Sequence, residues 1–122
     1  MESTRNIVIT GAAGGIGRAC VEHYHQQGFR VCAIDQAQPA SPLPDGVTFI
    51  QADLAAVGEV DAVVDELIQQ LGGQLHVLVN NAALQVAKSL KDTSVDEWDR
   101  VHAINLRAPF LLARGLSAAL AA

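Results

Sequence analysis

Four short apolar runs recur along the chain at the spacing expected of strands that alternate with other elements. They cover residues 6–10, 30–34, 47–51 and 75–79, and valine and isoleucine dominate them. Because few polar residues interrupt these runs, they are typical of strands covered on both faces, as in parallel sheets. The pattern predicts four strands of one buried parallel sheet.

Two intervening segments show the three- and four-residue spacing of amphipathic helices. The first helix is predicted to end at Gly28 and the second at Gly72-Gly73, because glycine commonly follows a helix C-terminus. The predicted apolar face of the first helix consists of Ile16, Ala19, Cys20 and Tyr24, and that of the second of Val57, Val60, Val64, Leu67, Ile68 and Leu71.

A third helical region follows the last apolar run. Ser94 and Glu97 have the spacing of a capping box, which predicts a helix over residues 95–105. Pro109 has no N–H to offer the Asn105 carbonyl, so we expect a kink there and a free Asn105 carbonyl. Beyond it, residues 109–122 are apolar nearly all round, so this helix needs a cover.

The order of elements defines the expected fold class. Three prolines between residues 35 and 45 predict an irregular loop where a second crossover helix would otherwise lie. Right-handed crossovers then give the strand order 3-2-1-4. We predict an α/β fold with a three-layer, Rossmann-type, doubly wound parallel sheet, present as a truncated half, with residues 1–122 as a single domain.

Composition narrows the possible partners. A net charge of −5 with only eight Lys and Arg argues against nucleic acid, which requires clustered basic residues. No apolar run is long enough to span a membrane and no signal peptide is visible, so we expect a cytoplasmic protein without membrane contact. Cys20 and Cys32 fit small apolar side chains, and His23 and His25 would point to opposite faces of a helix, so no metal site is predicted.

The candidate chemistry starts from the glycines of the run TGAAGGIG, residues 10–17, between the first strand and the first helix. Residues without a Cβ let backbone N–H groups approach a pyrophosphate closely, although a tight turn without a ligand would use the same residues. Asp35 ends the second strand, at the distance typical of an acid that binds the adenosine ribose, or is merely a solvated acid. Asp35 would repel a 2′-phosphate and Gly14 offers no basic side chain, so NAD is favoured over NADP.

These motifs together resemble the short-chain dehydrogenase/reductase family along the whole chain. TGAAGGIG is similar to the family's TGxxxGxG loop, and ADL at 52–54 to its adenine segment. NNAA at 80–83 is similar to its NNAG motif, and INL at 104–106 to the segment with the catalytic asparagine. A helix-initiating Asp53 and a turn-forming asparagine pair are the alternative interpretations.

The resemblance implies a role for each matching residue. Asn105 would be a member of the catalytic tetrad that holds a water through its main-chain carbonyl. Ala83 departs from the family's usual glycine, at a place where the cofactor approaches the backbone. The implied cofactor-binding residues are Thr10, Gly11, Gly14, Gly15, Ile16 and Gly17 at the pyrophosphate, Asp35 at the ribose, Asp53 and Leu54 at adenine, and Asn81, Ala82 and Ala83 along the adenosine side.

The remaining catalytic residues of the family, a serine and a Tyr-x-x-x-Lys pair, are missing from this sequence. The single tyrosine, Tyr24, is followed four positions later by Gly28, so there is no Tyr-x-x-x-Lys pair. In the family this pair handles the substrate proton and grips the nicotinamide ribose. We therefore expect a cofactor-binding half that is inactive alone, with an unidentified substrate.

Two other interpretations remain open. The apolar pattern at the end of the chain has no stop signal, which favours the N-terminal part of a longer, active alcohol or carbonyl oxidoreductase. Alternatively, the chain is an assembly module without dehydrogenase activity, in which a second copy or a partner chain covers the edge of strand four and the last helix.

Overall fold

A computed structural model of the chain describes residues 4–122 and contains a four-stranded parallel sheet of order β3-β2-β1-β4. This confirms the predicted strand order and the Rossmann-type α/β class. Val8 pairs with Cys32 on one side and with Leu78 on the other, so β1 is a central strand. The elements are β1 Asn6–Thr10, α1 Gly15–Gln26, β2 Arg30–Asp35, β3 Thr48–Gln51, α2 Val57–Leu71, β4 Val77–Val79, α3 Val95–His102, α4 Ala108–Gly115 and α5 Ser117–Ala121.

The fourth strand is shorter than its apolar run. Leu75 is buried, but its N–H donates to the Ala119 carbonyl at 3.0 Å, so it bonds a helix and not a strand. The next N–H, that of His76, donates to the Asn6 carbonyl at 3.0 Å. Regular pairing therefore begins only at Val77, two residues later than the run suggests.

Side chains alternate between two cores on the two faces of the sheet. Ile7 and Ile9 face the layer that contains Val21 of α1, whereas Val8 faces the layer that contains Leu67 of α2 and Leu112 of α4. All five residues of β1 are buried. This double cover explains why the strands read as continuous apolar runs.

The predicted helix faces are partly wrong. In α1 the buried residues are Gly17 and Val21, whereas Ile16 is 76% exposed, because the close packing of Gly17 on the Gly11 carbonyl turns Ile16 away from the sheet. In α2 the buried face runs through Val63, and Val57 and Ile68 are exposed. Helical spacing alone does not decide which of two overlapping stripes faces the sheet.

The third helical region begins as predicted and then deviates. Ser94 and Glu97 form the capping box, with both reciprocal hydrogen bonds present. Residues 103–107 form a π-helical turn, in which the Ala108 N–H donates to the Ala103 carbonyl five residues back. Pro109 follows in the first turn of α4, so the Asn105 carbonyl lacks its regular donor, and the expected irregularity takes the form of this π-helical turn.

The final helices are partly covered by the chain itself. Leu112, Leu116 and Ala119 are buried against the sheet face that also carries α2. Phe110 remains 58% exposed on the opposite side of α4. Across residues 4–122, no helix combines the length and the apolar character needed to cross a membrane.

Candidate functional site

The glycine loop is packed against the chain that follows β4. Gly11 has a φ of +65°, and a Cβ there would lie 2.9 Å from the Ala82 Cα. At Gly17 a Cβ would collide with the Gly11 carbonyl oxygen and would lie 2.7 Å from the Asn81 Nδ2. The close approach of backbone to backbone therefore excludes side chains at both positions.

Thr10 and Asn81 hold these two segments together by hydrogen bonds. The buried Thr10 Oγ1 accepts the N–H groups of Asn81 at 3.0 Å and Ala82 at 2.9 Å. The Asn81 side-chain amide donates to the Gly11 carbonyl at 3.2 Å. The glycine loop and the NNAA segment consequently form one hydrogen-bonded unit.

The outer part of the loop is open. Gly14 is extended and Gly15 has a φ of +58°, and a Cβ at either residue would meet nothing within 4 Å. The first turn of α1 has no side-chain cap at Gly14 and no acidic residue. The positive end of the helix dipole and its first N–H groups are thus left without a competing carboxylate.

Asp35 lies beside this loop, at the end of β2. Its Oδ2 accepts the Ala13 N–H at 2.9 Å and its Oδ1 accepts the Ala37 N–H at 2.9 Å. The carboxylate is half-buried, and each of its oxygens has further capacity to accept a hydrogen bond. The structure therefore joins the glycine loop to the acid that the sequence singled out.

A cleft of about 290 Å³ opens at the carboxyl ends of the strands. This is the edge at which ligands bind in open α/β sheets. The structure brings seven of the candidate residues into its lining, whereas Thr10, Gly14, Gly15, Ile16, Gly17 and Asn105 do not line it. The lining consists of Gly11, Asp35, Gln36, Asp53, Leu54, Asn81, Ala82, Ala83 and Ile104.

Asp53 forms an ion pair on the wall of the cleft. Burial opposes ionisation of its carboxyl, but the Ala55 N–H and the Arg100 guanidinium outweigh burial and lower the pKa of Asp53. Its own N–H donates to the Glu59 carboxylate at 3.0 Å. Asp53 therefore stays charged even in moderately acidic solution and presents only acceptor atoms.

Asn105 holds the loop after β4 from outside the cleft. Its Oδ1 accepts the Leu84 N–H at 2.8 Å and its Nδ2 donates to the Leu84 carbonyl at 2.8 Å. The neighbouring Ile104 lines the cleft instead. The Asn105 side chain thus anchors the NNAAL segment, and its carbonyl lies in the π-helical turn.

Sequence reasoning missed Gln36 and Arg100. Gln36 directly follows Asp35, so its place at the same strand end could have been inferred. Arg100 is separated from Asp53 by 47 residues, and no local pattern links the two. Only the packing of α3 beside the loop after β3 brings them together.

The other candidate ligands do not converge. Within the described part of the chain, no three His, Cys, Asp or Glu side chains are arranged to hold a metal ion. Cys20 is half-buried and Cys32 is buried, and both are free thiols. Burial raises the pKa of the Cys32 thiol, which keeps it in its unreactive form.

The sheet order, the glycine loop and the cleft define a protein of the Rossmann-type α/β class. The family model described as short chain dehydrogenase matches residues 5–122. The chain therefore belongs to the short-chain dehydrogenase family of oxidoreductases, whose fold binds NAD(P).

Individual relatives agree with this assignment. A probable galactose dehydrogenase of Rhizobium meliloti is 37% identical over 122 aligned residues, covering 93% of this chain and 47% of that protein. A Brucella ovis oxidoreductase of the family, solved with a partially ordered NAD, has a TM-score of 0.83 and 30% identity, with 94% of this chain and 57% of that chain covered.

A second similar structure contains the other cofactor. A blue fluorescent protein from a metagenomic library, in complex with NADPH, has a TM-score of 0.84 and 29% identity, with 95% of this chain and 51% of that chain covered. Similar proteins thus bind either NAD or NADPH. The chain spans about half the length of the relatives it matches.

Proposed function

We propose that residues 1–122 form one dinucleotide-binding domain, which holds the adenosine diphosphate part of NAD(H) for a dehydrogenase acting on an alcohol or carbonyl substrate. The strongest support for this proposal is the position of Asp35, which lines the cleft and accepts the Ala13 N–H at 2.9 Å. This hydrogen bond holds the Asp35 carboxylate, the candidate acceptor for the ribose hydroxyls, next to the glycine loop, the candidate site for the pyrophosphate.

The glycine loop has the physical features that a pyrophosphate requires. Gly11 and Gly17 let the loop lie flat against the NNAA segment, and Gly14 and Gly15 leave open space on the outer side. The uncapped first turn of α1 supplies N–H donors and a positive dipole end there. A diphosphate fits this arrangement because its charge complements both.

Asp35 supports NAD in preference to NADP. A carboxylate accepts hydrogen bonds from both ribose hydroxyls, whereas a 2′-phosphate would place like charges side by side. Gly14 adds no cation that would offset this repulsion. The NAD complex of the Brucella ovis relative is consistent with a preference for NAD. The NADPH complex of the blue fluorescent protein shows that a related chain binds NADPH.

Hydride transfer requires residues that this sequence lacks. Tyr24 is half-buried on α1, where its ring packs edge-on against that of Phe29 with the ring centroids 5.1 Å apart, and the residue four positions later is Gly28 and not lysine. Asn105 is the one candidate tetrad member, acting through its carbonyl in the π-helical turn. We therefore propose that this chain binds cofactor without turning it over.

The test is calorimetric titration of the purified chain with NAD and with ADP-ribose. Since every proposed contact is to the adenosine diphosphate part, the two ligands should bind within about threefold of each other. No NADH should form when NAD and a panel of alcohols are added. No heat of binding at millimolar NAD contradicts the binding proposal, and measured turnover contradicts the proposed inactivity.

We also propose that the chain pairs with a second copy of itself through α3 and α4. Trp98, Leu106 and Phe110 are all more than half exposed and recur every four or eight residues along one side of this helical region. They border a groove of about 620 Å³. A solvent-exposed apolar strip of this kind marks an interaction surface.

The charges on this helical region favour an antiparallel, twofold arrangement. Its first turn contains Asp96 and Glu97, whereas Arg107 and Arg114 lie toward the other end. Antiparallel pairing about a twofold axis would set the acidic end of one copy beside the basic end of the other, which favours this arrangement electrostatically. This charge pattern selects a second copy as the partner.

Replacing Phe110 with aspartate should shift the chain from dimer to monomer. Phe110 is largely exposed, so the fold should persist while two charges face each other across the interface. Light scattering gives the mass, and Ile68→Asp on the exposed side of α2 is the control that should leave the dimer intact. A wild-type mass of one 12.8 kDa chain at the highest concentration would rule the interface out.

A further inference from the structure

The Arg100 guanidinium connects two residues of the cleft wall. Its Nη1 donates to the Asp53 Oδ2 at 3.2 Å, and its Nη2 donates to the Asp53 Oδ1 at 3.3 Å and to the Gln36 Oε1 at 3.1 Å. Asp53 follows β3 and Gln36 follows β2, and both line the cleft. Arg100 comes from α3 and is not part of that lining.

We propose that Arg100 is a positioning residue that sets the base selectivity of the cleft by holding Asp53 as a fixed acceptor for the amino group of adenine. This inference rests on the proposed cofactor function. Through Arg100, α3 would act on the recognition of the adenine base, which the glycine loop and Asp35 do not contact.

The geometry explains why an arginine is used. Its planar fork reaches both oxygens of Asp53 and the Gln36 amide at the same time, which a lysine ammonium cannot reproduce. Because a guanidinium only donates, the Gln36 oxygen must face it, and the amide nitrogen is turned away. One residue thus fixes the orientation of two polar groups.

The ion pair also fixes what Asp53 recognises. The Arg100 side chain is 39% exposed and that of Asp53 27%, so the pair is only partly screened by solvent. The Ala55 N–H bonds the same carboxylate at 3.0 Å. An ionised carboxylate accepts from the 6-amino group of adenine, whereas position 6 of hypoxanthine carries a carbonyl oxygen, which cannot donate to it.

Two further charged side chains contact the loop after β3, which contains Asp53 and Ala55, and one of them supplies a control. Glu59 accepts the Asp53 N–H at 3.0 Å, and Arg107 donates to the Ala55 carbonyl. Arg107 therefore braces the same loop as Arg100 but contacts a neutral backbone oxygen. Arg107→Gln should loosen the loop without removing the cation from Asp53.

The ligand-free part of the test follows the Asp53 carboxyl by carbon-13 NMR during acid titration. In Arg100→Gln the pKa of Asp53 should rise, because the carboxylate loses the positive charge of the guanidinium and keeps only the Ala55 N–H to stabilise it. Arg100→Lys should retain most of the effect, and Arg107→Gln should shift the titration less than Arg100→Gln does, because it leaves the guanidinium beside Asp53. An Asp53 titration identical in wild type and Arg100→Gln overturns the inference.

The second part compares NAD with nicotinamide hypoxanthine dinucleotide by calorimetry. Wild type should prefer NAD by about tenfold, Arg100→Gln by about twofold or less, and Arg100→Lys by an intermediate ratio. Arg107→Gln should keep the wild-type ratio even if both ligands bind more weakly.

The outcomes separate this inference from the function on which it rests. Equal selectivity in wild type and Arg100→Gln, with both ligands bound, overturns the role of Arg100 alone. Failure of wild type to bind either dinucleotide overturns the proposed cofactor function and this inference with it. Circular dichroism of each variant verifies that the fold is present before selectivity is compared.

Discussion

Replacing Gly17 with alanine is expected to weaken NAD binding by about 100-fold and to destabilise the fold by about 1–3 kcal/mol. The added Cβ would collide with the Gly11 carbonyl and would lie 2.7 Å from the Asn81 Nδ2. A helical Gly→Ala change by itself stabilises by up to about 1 kcal/mol. The collision outweighs this gain because a backbone carbonyl cannot rotate away.

A matched control is available in α2. Gly58 also lies in the first turn of a helix, and a Cβ there would meet nothing within 4 Å. Gly58→Ala should therefore leave NAD binding intact and stability unchanged or slightly higher. Urea unfolding and calorimetric titration of both variants provide the measurement, and wild-type affinity in Gly17→Ala would contradict the packing argument.

Replacing Asp35 with asparagine is expected to weaken NAD binding by about 10- to 100-fold and to reduce the preference for NAD over NADP by at least as much. A hydrogen bond to a charged group contributes about 1.5–3 kcal/mol, and the neutral amide also stops repelling a 2′-phosphate. Asparagine retains one oxygen for the Ala13 or Ala37 N–H, so the loop keeps an acceptor.

Asp45→Asn is the control for the change in net charge. Asp45 is exposed in the proline-containing loop and does not line the cleft, so the same loss of one charge should leave both affinities unchanged. Titrations with NAD and NADP at one ionic strength give the two ratios. An NAD to NADP ratio that is the same in Asp35→Asn and wild type would count against the ribose role of Asp35.

The strand order could be predicted because it depends on local information. Each buried strand is a run of apolar residues, and the handedness of crossovers then leaves one arrangement of β1 to β4. The length of β4 could not be predicted, since the Leu75 N–H bonds to Ala119, which lies far along the chain. The apolar character of a residue indicates that it is buried, but it does not indicate which group its backbone N–H bonds.

The helix faces show a second limit of the sequence. Ile16 was an obvious apolar candidate, yet Gly17 and Val21 are buried instead. The reason is the close contact of Gly17 with the Gly11 carbonyl, which fixes the rotation of α1 on the sheet. Such a contact becomes visible only after the loop and the helix have been assembled.

The candidate site divides in the same way. Asp35 was identified from its place at the end of β2, and Asp53 and Asn81 from the resemblance of ADL and NNAA to the family motifs. All three line the cleft because parallel strands end at one edge of the sheet. Arg100 was not found, because it lies on a helix and reaches the cleft wall only through packing. The hydrogen bonds between the Asn105 side chain and the Leu84 backbone likewise depend on tertiary structure.

The position of β1 between β2 and β4 has a consequence for how the sheet forms during protein synthesis. Asn6, at the start of β1, bonds His76, which is 70 residues away. At about 5–20 residues per second, a ribosome needs about 4–14 s to produce that spacer. During this interval one edge of the most buried strand has no native neighbour, and exposed edges invite incorrect pairing. Among the strands that the structure describes, β1 is therefore translated first but is paired on both edges only after β4 has been made.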